Sequence, residues 1–81
     1  MSRKEEFSAL VKKHGYNSIN NFCVKNKLIQ TNVNKRVKDE NIKVELPILF
    51  SWAAILNEPI DVLLDIFYPE EMKENKKNLN Y

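Results

Sequence analysis

Apolar residues recur along this chain at intervals of three and four, the spacing of α-helices that bury one face. A first helix is predicted over residues 3–14, with Gly15 at the point where helices commonly end in the left-handed conformation. A second helix begins after a cap at Asn17 or Ser18 and continues through about residue 26. The apolar positions are Phe7, Leu10, Val11 and His14 in the first helix, and Ile19, Phe22 and Cys23 in the second.

A third helix, predicted over about residues 30–39, has a thin apolar side. Val33 and Val37 are four residues apart and therefore lie on the same side of it. The polar connector 40–45 follows, and Ile42 and Val44 can turn inward from it. All other positions of the third helix are polar or charged, among them Gln30, Thr31, Asn32, Asn34, Lys35, Arg36 and Lys38.

A fourth helix carries an apolar series at the same spacing, with Pro47 in its first turn, where proline is tolerated. Trp52 lies beside that series, and we expect it to cover the edge of the core; the alternative is a partly exposed anchor for a partner. A fifth helix begins near Pro59. The apolar positions are Leu46, Leu49, Phe50, Ala53 and Leu56 in the fourth helix, and Ile60, Leu63, Leu64 and Phe67 in the fifth.

The composition changes after Phe67. Pro69, Glu70 and Glu71 could open one more turn or a short helix, with the two acids at its positive end. The apolar content of residues 69–81 is too small to hold a helix in place alone, so this segment is predicted to be a frayed tail or a dimer contact. Its sparse apolar series, with Tyr68 just before it, is Met72, Leu79 and Tyr81.

Length and composition restrict the class of protein. With 81 residues the chain has room for one domain, predicted over residues 1–68. One glycine and three prolines argue against a turn-rich β-sandwich or barrel. One cysteine excludes an internal disulfide and a cysteine zinc cluster. Since the chain has no membrane-length apolar run and no secretory signal at its start, we expect an all-α protein of the reducing cytoplasm.

Catalytic chemistry is not expected from this set of side chains. The chain has one histidine, and it has neither a glycine-rich phosphate loop nor an HExxH or GxSxG motif. His14 is interpreted as a packing or surface residue and Cys23 as a packed thiol, in preference to a ligand or a nucleophile. We therefore predict a protein that is not an enzyme and that needs no cofactor and no metal.

The charge of the chain is unevenly distributed, although the total is only +2. The net charge is +2 over residues 1–24, +4 over residues 25–43 and −4 over residues 44–81. A polyanion would be attracted to the middle of the chain and repelled from its C-terminal half. The alternative is that the lysines only solvate a small domain.

The polar surface of the third helix has the chemistry that the DNA major groove requires. Glutamine and asparagine can pair bidentately with adenine, lysine and arginine with guanine, and the threonine methyl group can contact thymine. Neighbouring lysine and asparagine side chains can hold phosphates and set the register. The position of this helix, a turn of roughly three residues after another short helix, favours a helix–turn–helix that reads DNA.

The second half of the chain carries the clearest motif, Leu46-x-x-Leu49-Phe50-x-x-Ala53-x-x-Leu56-Asn57-Glu58-Pro59-Ile60-Asp61-Val62-Leu63-Leu64. This motif resembles the closing pattern of the Cro/C1-type (XRE-like) helix–turn–helix regulators of phages and bacteria. The first half is similar to the family in Phe22-Cys23, Leu28 and Val33, so the resemblance covers about residues 5–67. It implies a compact five-helix, lambda-repressor-like DNA-binding domain in which the second and third helices form the helix–turn–helix.

The chain departs from the family pattern in and after the turn. Lys27 stands where the family usually has glycine, so it must adopt the left-handed conformation or lie in a differently shaped turn. Asn26 occupies a position that is normally apolar, and Arg36 one that often holds isoleucine or leucine. The segment Lys38-Asp39-Glu40-Asn41 replaces the family's Glu-x-Gly after the recognition helix.

The resemblance also implies which side chains contact DNA. The groove-facing positions are Gln30, Thr31, Asn32 and Lys35, with Asn34 as a further candidate. Ser18 and Asn20 are implied phosphate contacts, since the amides at a helix N-terminus favour an anion. Three more phosphate candidates lie in or beside the connector: Lys38, Asn41 and Lys43.

These residues predict a sequence-specific transcription regulator, phage or prophage repressor-like or Cro-like, that binds a double-stranded DNA operator. The family reads operators as symmetric dimers, which implies a homodimer, formed through the fifth helix and the tail, with half-sites about one helical turn apart. The alternative is a small antirepressor or modulator that uses the same fold to bind another phage regulator protein. The low net charge and the acidic C-terminal half fit that alternative. Neither function involves a membrane.

Overall fold

Helices account for all of the regular secondary structure in the computed structural model, which describes residues 2–78 and, for side chains, residues 2–74. These residues contain no strand, so the all-α prediction is confirmed. The chain divides into two compact units, an N-terminal unit that ends at Val44 and a C-terminal unit that begins at Glu45. The helices are α1 Arg3–Lys13, α2 Ile19–Lys25, α3 Gln30–Lys38, α4 Leu46–Leu56, α5 Ile60–Phe67 and α6 Pro69–Asn78.

Helix α1 begins with a capping box, in which Ser2 and Glu5 exchange hydrogen bonds. The Glu5 backbone N–H donates to Ser2 Oγ at 3.2 Å, and the Ser2 N–H donates to Glu5 Oε1 at 3.3 Å. The Ser2 backbone N–H, and after it the Ser2 hydroxyl, hold the pKa of Glu5 below its ordinary value. The helix ends at Lys13, and Gly15 follows with φ of 90°, the left-handed conformation predicted for it.

Helix α2 is capped by Ser18 rather than by Asn17. Ser18 Oγ accepts a hydrogen bond from the Asn21 N–H at 3.0 Å, which satisfies one of the free amides at the helix start. Only seven residues long, the helix is held mainly by packing of its apolar side. Its buried residues are those that the sequence predicts, Ile19, Phe22 and Cys23.

The turn between α2 and α3 forms without a glycine. Lys27 adopts the left-handed conformation, with φ of 56°, which is the first of the two possibilities open to it. The Leu28 N–H donates to the Cys23 carbonyl at 2.8 Å and closes the end of α2.

Asn26 is half-buried and uses its amide inside the N-terminal unit. Its Nδ2 donates to the Phe22 carbonyl at 2.8 Å and to the Tyr16 hydroxyl at 3.1 Å. The Tyr16 ring packs edge-on against Phe22, with ring centroids 5.2 Å apart, and Phe22 packs in the same way against Phe7 at 5.7 Å. A polar residue is tolerated at this position because its donor groups are hydrogen-bonded.

Helix α3 is anchored by the few apolar side chains that it has. Val33 and Val37 are buried, and in the connector Val44 is buried as predicted, while Ile42 is half-buried. The helix begins without a side-chain cap because its N-cap residue is Ile29. Because only its two valines are buried, α3 leaves most of its surface to solvent.

In the C-terminal unit, α4 buries a different part of its apolar side from the one that its sequence predicts. Leu46 and Phe50, expected in the core, are 47% and 55% exposed. Both lie at one edge of the apolar side, and burial extends instead to Trp52 at the other edge, which is 2% exposed. The Trp52 and Phe67 rings lie 5.6 Å apart, so the expected core position of Trp52 is confirmed. The buried residues of α4 are Leu49, Trp52, Ala53 and Leu56.

The prediction of five helices is incomplete, because a sixth, α6, follows in the described residues. Pro69 sets the backbone angle of the first turn, and the two glutamates after it lie at the positive end of the helix. The Met72 N–H donates to the Tyr68 carbonyl at 3.0 Å, and α6 packs against α5, which supplies the support that α6 alone lacks. Leu79 and Tyr81, the other apolar residues of this segment, lie outside the described residues.

Candidate nucleic-acid interface

The exposed surface of α3 carries four of the five side chains that the sequence singles out for base contacts. Thr31, Asn32 and Lys35 are exposed on the side opposite the two buried valines. Gln30 is exposed as well, in the first turn of the helix. Thr31, Asn32 and Lys35 therefore share one polar side of α3, with a hydroxyl, an amide and an ammonium group, and Gln30 adds a second amide at the start of the helix.

Asn34 is placed differently from these four. It is half-buried, and its Nδ2 donates to Asn20 Oδ1 at 2.8 Å. This hydrogen bond links α3 to the start of α2. Because this hydrogen bond occupies the side-chain oxygen of Asn20, the Asn20 N–H₂ group remains as the donor for a ligand.

An open depression of about 210 Å³ lies where α1, the start of α2 and α3 meet. It brings together Ser18, Asn20 and Lys38, three of the five predicted phosphate contacts. Lysine ammonium groups, hydroxyls and an amide N–H₂ all donate hydrogen bonds, so the depression has the chemistry of an anion site. The residues that line it are Lys4, Ser8, Ser18, Ile19, Asn20, Asn34 and Lys38.

Two residues of this depression, Lys4 and Ser8, were not among the predicted contacts. They are four residues apart and therefore share one side of α1. That spacing is visible in the sequence, but it is not informative there, because α1 has several such polar pairs and the sequence does not show which pair faces α3.

The remaining phosphate candidates, Asn41 and Lys43, are exposed on the connector after α3 and do not line the depression. The connector is folded tightly. The Asn41 N–H donates to Asp39 Oδ1 at 3.0 Å, and the Ile42 N–H donates to the Asp39 carbonyl at 3.1 Å. Asn41 and Lys43 thus form a second polar position beyond the C-terminal end of α3.

Arg3 of α1 holds that C-terminal end. Its side chain is buried, with the residue 6% exposed, and its Nη1 donates to the carbonyls of Arg36, Asp39 and Ile42 at 2.9, 2.9 and 2.8 Å. The charge pattern does not distinguish Arg3 from the surface lysines. The apolar periodicity does, because Arg3 lies four residues before Phe7 on the buried stripe of α1.

The positive charge of the N-terminal unit is at its surface. The net charge is +2 over residues 1–24 and +4 over residues 25–43. Most of the positive charge comes from lysines, and every one of these lysines is exposed. A surface of this kind attracts a polyanion and is sensitive to salt. The exposed lysines are Lys4, Lys12, Lys13, Lys25, Lys27, Lys35, Lys38 and Lys43.

The two residues considered for other chemistry have ordinary surroundings. His14 is exposed at the end of α1, which fits the surface role expected for it. Cys23 is fully buried, and burial raises the pKa of its thiol, so the reactive thiolate is disfavoured. The surroundings of Cys23 therefore favour a packed thiol over a metal ligand or a nucleophile.

Residues 2–78 have neither a membrane-spanning helix nor a cluster of metal ligands. No helix there has both the length and the apolar character that crossing a bilayer requires. In the same part of the chain, no three His, Cys, Asp or Glu side chains converge in a way that could hold a metal ion.

Neither a protein-family model, nor a curated protein, nor a solved structure matches this chain. The expected resemblance to the Cro/C1-type regulators therefore rests only on the sequence motif of residues 46–64 and on the looser match before it.

Proposed function

We propose that this protein is a sequence-specific, double-stranded DNA-binding transcription regulator, in which α2 and α3 form a helix–turn–helix. The observation that carries the proposal is the surface of α3, whose amide, hydroxyl and ammonium side chains are exposed above two buried valines. A helix of nine residues with this surface can enter the major groove, which is wide enough for one α-helix.

The base contacts follow from the donors and acceptors on α3. Gln30 and Asn32 can each pair bidentately with an adenine, Lys35 can donate to guanine, and the Thr31 methyl group can contact thymine. The Asn34 amide is bonded to Asn20, so Asn34 supports the interface by joining α3 to α2. These contacts supply the sequence preference.

The phosphate contacts lie on both sides of α3. Lys4 and Lys38 border the depression and can neutralise a backbone phosphate there, to which Ser18 and Asn20 donate neutral hydrogen bonds. Asn41 and Lys43 can hold a second phosphate beyond the end of α3. These contacts set the register and make the affinity fall as salt rises.

A homodimer completes the proposal. A single α3 reads only a few base pairs, and two copies related by a two-fold axis would read two half-sites about one helical turn apart. An operator with two-fold symmetry follows from that arrangement.

Fluorescence anisotropy with a random-sequence 30-base-pair duplex library tests the proposal directly. The library is titrated across a salt series in the presence of a poly-dI/dC competitor, and the bound sequences are recovered. Binding that survives the competitor and weakens steeply with salt supports a DNA reader. Weak binding that the competitor removes completely, with no enriched sequence, overturns it.

A second candidate function, a modulator that binds another regulator protein, is favoured by one observation. Leu46 and Phe50 lie one turn apart on α4 and are about half exposed, in the acidic half of the chain. Trp52, the anchor that such a protein could have used, is buried. Substitution of Phe50 by serine separates the two functions, because it leaves DNA binding unchanged and removes an apolar protein contact.

A further inference from the structure

Arg3 occupies an unusual position for an arginine of a small domain. Its guanidinium is buried, and its Nη1 donates to three backbone carbonyls, of Arg36, Asp39 and Ile42, at 2.8–2.9 Å. A buried charge is tolerated only when it is well hydrogen-bonded, and these distances are those of charge-assisted bonds.

The three acceptors belong to one short stretch of chain. Arg36 lies in the last turn of α3, where carbonyls have no partner within the helix, and Asp39 and Ile42 belong to the connector. A positive group at the C-terminal end of a helix is also favoured by the helix dipole. Arg3 thus caps α3 from another helix and holds the connector against α1 at the same time.

The middle and the C-terminal end of α3 are held by different means. In the middle of the helix, the Asn34–Asn20 hydrogen bond links α3 to α2 at 2.8 Å, and Val33 is buried. At the C-terminal end, Arg3 makes the bonds that fix the backbone from residue 36 to residue 42. Lys38 and Asn41 belong to that stretch and Lys43 follows it directly, so these three side chains take their positions from that backbone.

We propose that Arg3 is a positioning residue for phosphate contact, because it fixes the last turn of α3 and the connector that carry Lys38, Asn41 and Lys43. The inference rests on the proposed DNA-binding function for its ligand, a backbone phosphate. Arg3 itself is buried and touches no phosphate. Its loss should therefore weaken binding to all DNA sequences alike and leave the preference set by Gln30 and Lys35.

Amide hydrogen exchange tests the structural part of this proposal without DNA. The amides of Asp39, Asn41 and Ile42 are hydrogen-bonded in the structure and report on the connector. In Arg3→Lys, whose shorter side chain does not bring its nitrogen to the position of Nη1, we expect them to exchange about tenfold faster. The Phe22 amide of α2 serves as internal reference, and Lys12→Arg, an exposed and charge-conserving change on the same helix, is the matched control for Arg3→Lys.

Salt dependence tests the functional part. Arg3→Lys keeps the charge of the chain. If the substitution only lowered the stability of the fold, the folded protein below its melting temperature would keep all of its phosphate contacts. The slope of log affinity against log salt, which reports the number of those contacts, would then be unchanged. We expect that slope to become shallower by about one to two units, as though one or two phosphate contacts were missing. The bound sequences recovered from a library should stay the same.

The outcomes separate this proposal from the proposed function. A wild-type chain that binds no DNA overturns the DNA-binding function, while the exchange data still decide whether Arg3 holds the connector. Unchanged exchange and an unchanged salt slope in Arg3→Lys overturn the role of Arg3. If the variants do not fold, the guanidinium resonances of the wild-type protein decide: slow rotation about the Cζ–Nη bond is expected, and free rotation contradicts the three hydrogen bonds.

Discussion

Lys27 shows how one residue can carry conformational strain in the turn before the candidate recognition helix. Its φ of 56° is in the region where a Cβ atom crowds the backbone, whereas Asn57, with φ of 55° at the end of α4, is of a type that tolerates this conformation. Lys27 is exposed, and its charge contributes to the basic surface. Glycine would adopt the same conformation at this position without that strain.

Replacing Lys27 by glycine is expected to stabilise the fold by about 1 kcal/mol, since the relief of strain exceeds the extra entropy of the unfolded chain. Urea denaturation measures the change in the free energy of unfolding. Lys25→Gly is the control, because Lys25 is helical and exposed, and glycine there should destabilise. Equal effects of the two substitutions would contradict the strain argument.

Base and phosphate contacts should respond differently to alanine. Lys35→Ala, and likewise Gln30→Ala, is expected to relax discrimination at one operator position by about 1–3 kcal/mol. Lys43→Ala is expected to weaken binding to every sequence and to reduce the salt slope by about one unit. Competition binding with operator and unrelated duplexes gives both quantities. Uniform losses for all three variants would show that α3 does not read bases.

Cys23 should behave as a protected thiol. Burial raises its pKa above the ordinary 9.0, so labelling by a thiol reagent at pH 9.0 should be far slower in the folded than in the denatured protein. Because the pKa is higher in the folded state, the stability that Cys23 contributes is complete below the unfolded pKa and is lost as the pH rises through the folded one. The stability advantage of the wild type over Cys23→Ala should therefore shrink above pH 9.0. Rapid labelling of the folded protein would rule out the buried position.

At the scale of the elements, local signals account for most helix boundaries. The Ser2 capping box, the Ser18 cap and Gly15 are read within a few neighbouring residues, and the helices they delimit agree closely with the prediction. The burial of α4 is less predictable. Its apolar residues cover more of the helix surface than the core can use, so periodicity alone does not decide which edge is buried.

The two edges of α4 should differ sharply in stability measurements. Trp52→Ala removes a buried ring that contacts Phe67 and is expected to cost about 3–5 kcal/mol. Phe50→Ala removes a ring that is 55% exposed and is expected to change stability by no more than about 1 kcal/mol. Thermal and urea denaturation of the two variants compare these costs. A large loss for Phe50→Ala would mean that this edge is covered in solution, for example by a second copy.

At the scale of the whole molecule, charge divides the chain. The net charge is positive up to residue 43 and is −4 over residues 44–81. The basic part coincides with the N-terminal unit, which holds α3 and the depression, so a polyanion would be attracted to the surface that carries the candidate contacts. The acidic part would limit non-specific binding elsewhere on the chain.

The assembled complex should contain two copies of the chain on one operator. Sedimentation velocity with a selected duplex is expected to show two chains per DNA, and the selected sites should contain two half-sites about 10 base pairs apart, centre to centre. A single half-site bound by one chain would contradict the homodimer. That result would leave the base contacts of α3 intact.

The sequence by itself determined the helical class, the boundaries of the first five helices to within a few residues and the polar surface of α3, because periodicity, caps and the polarity of neighbouring residues act over a few positions. Tertiary structure alone decided that Arg3 is buried against the connector, that Lys4 and Ser8 join Ser18 and Asn20 around one depression, and that Phe50 is exposed. These features depend on which helix sides meet across long separations in the chain. A three- or four-residue pattern specifies that a side is apolar, but not which partner covers it.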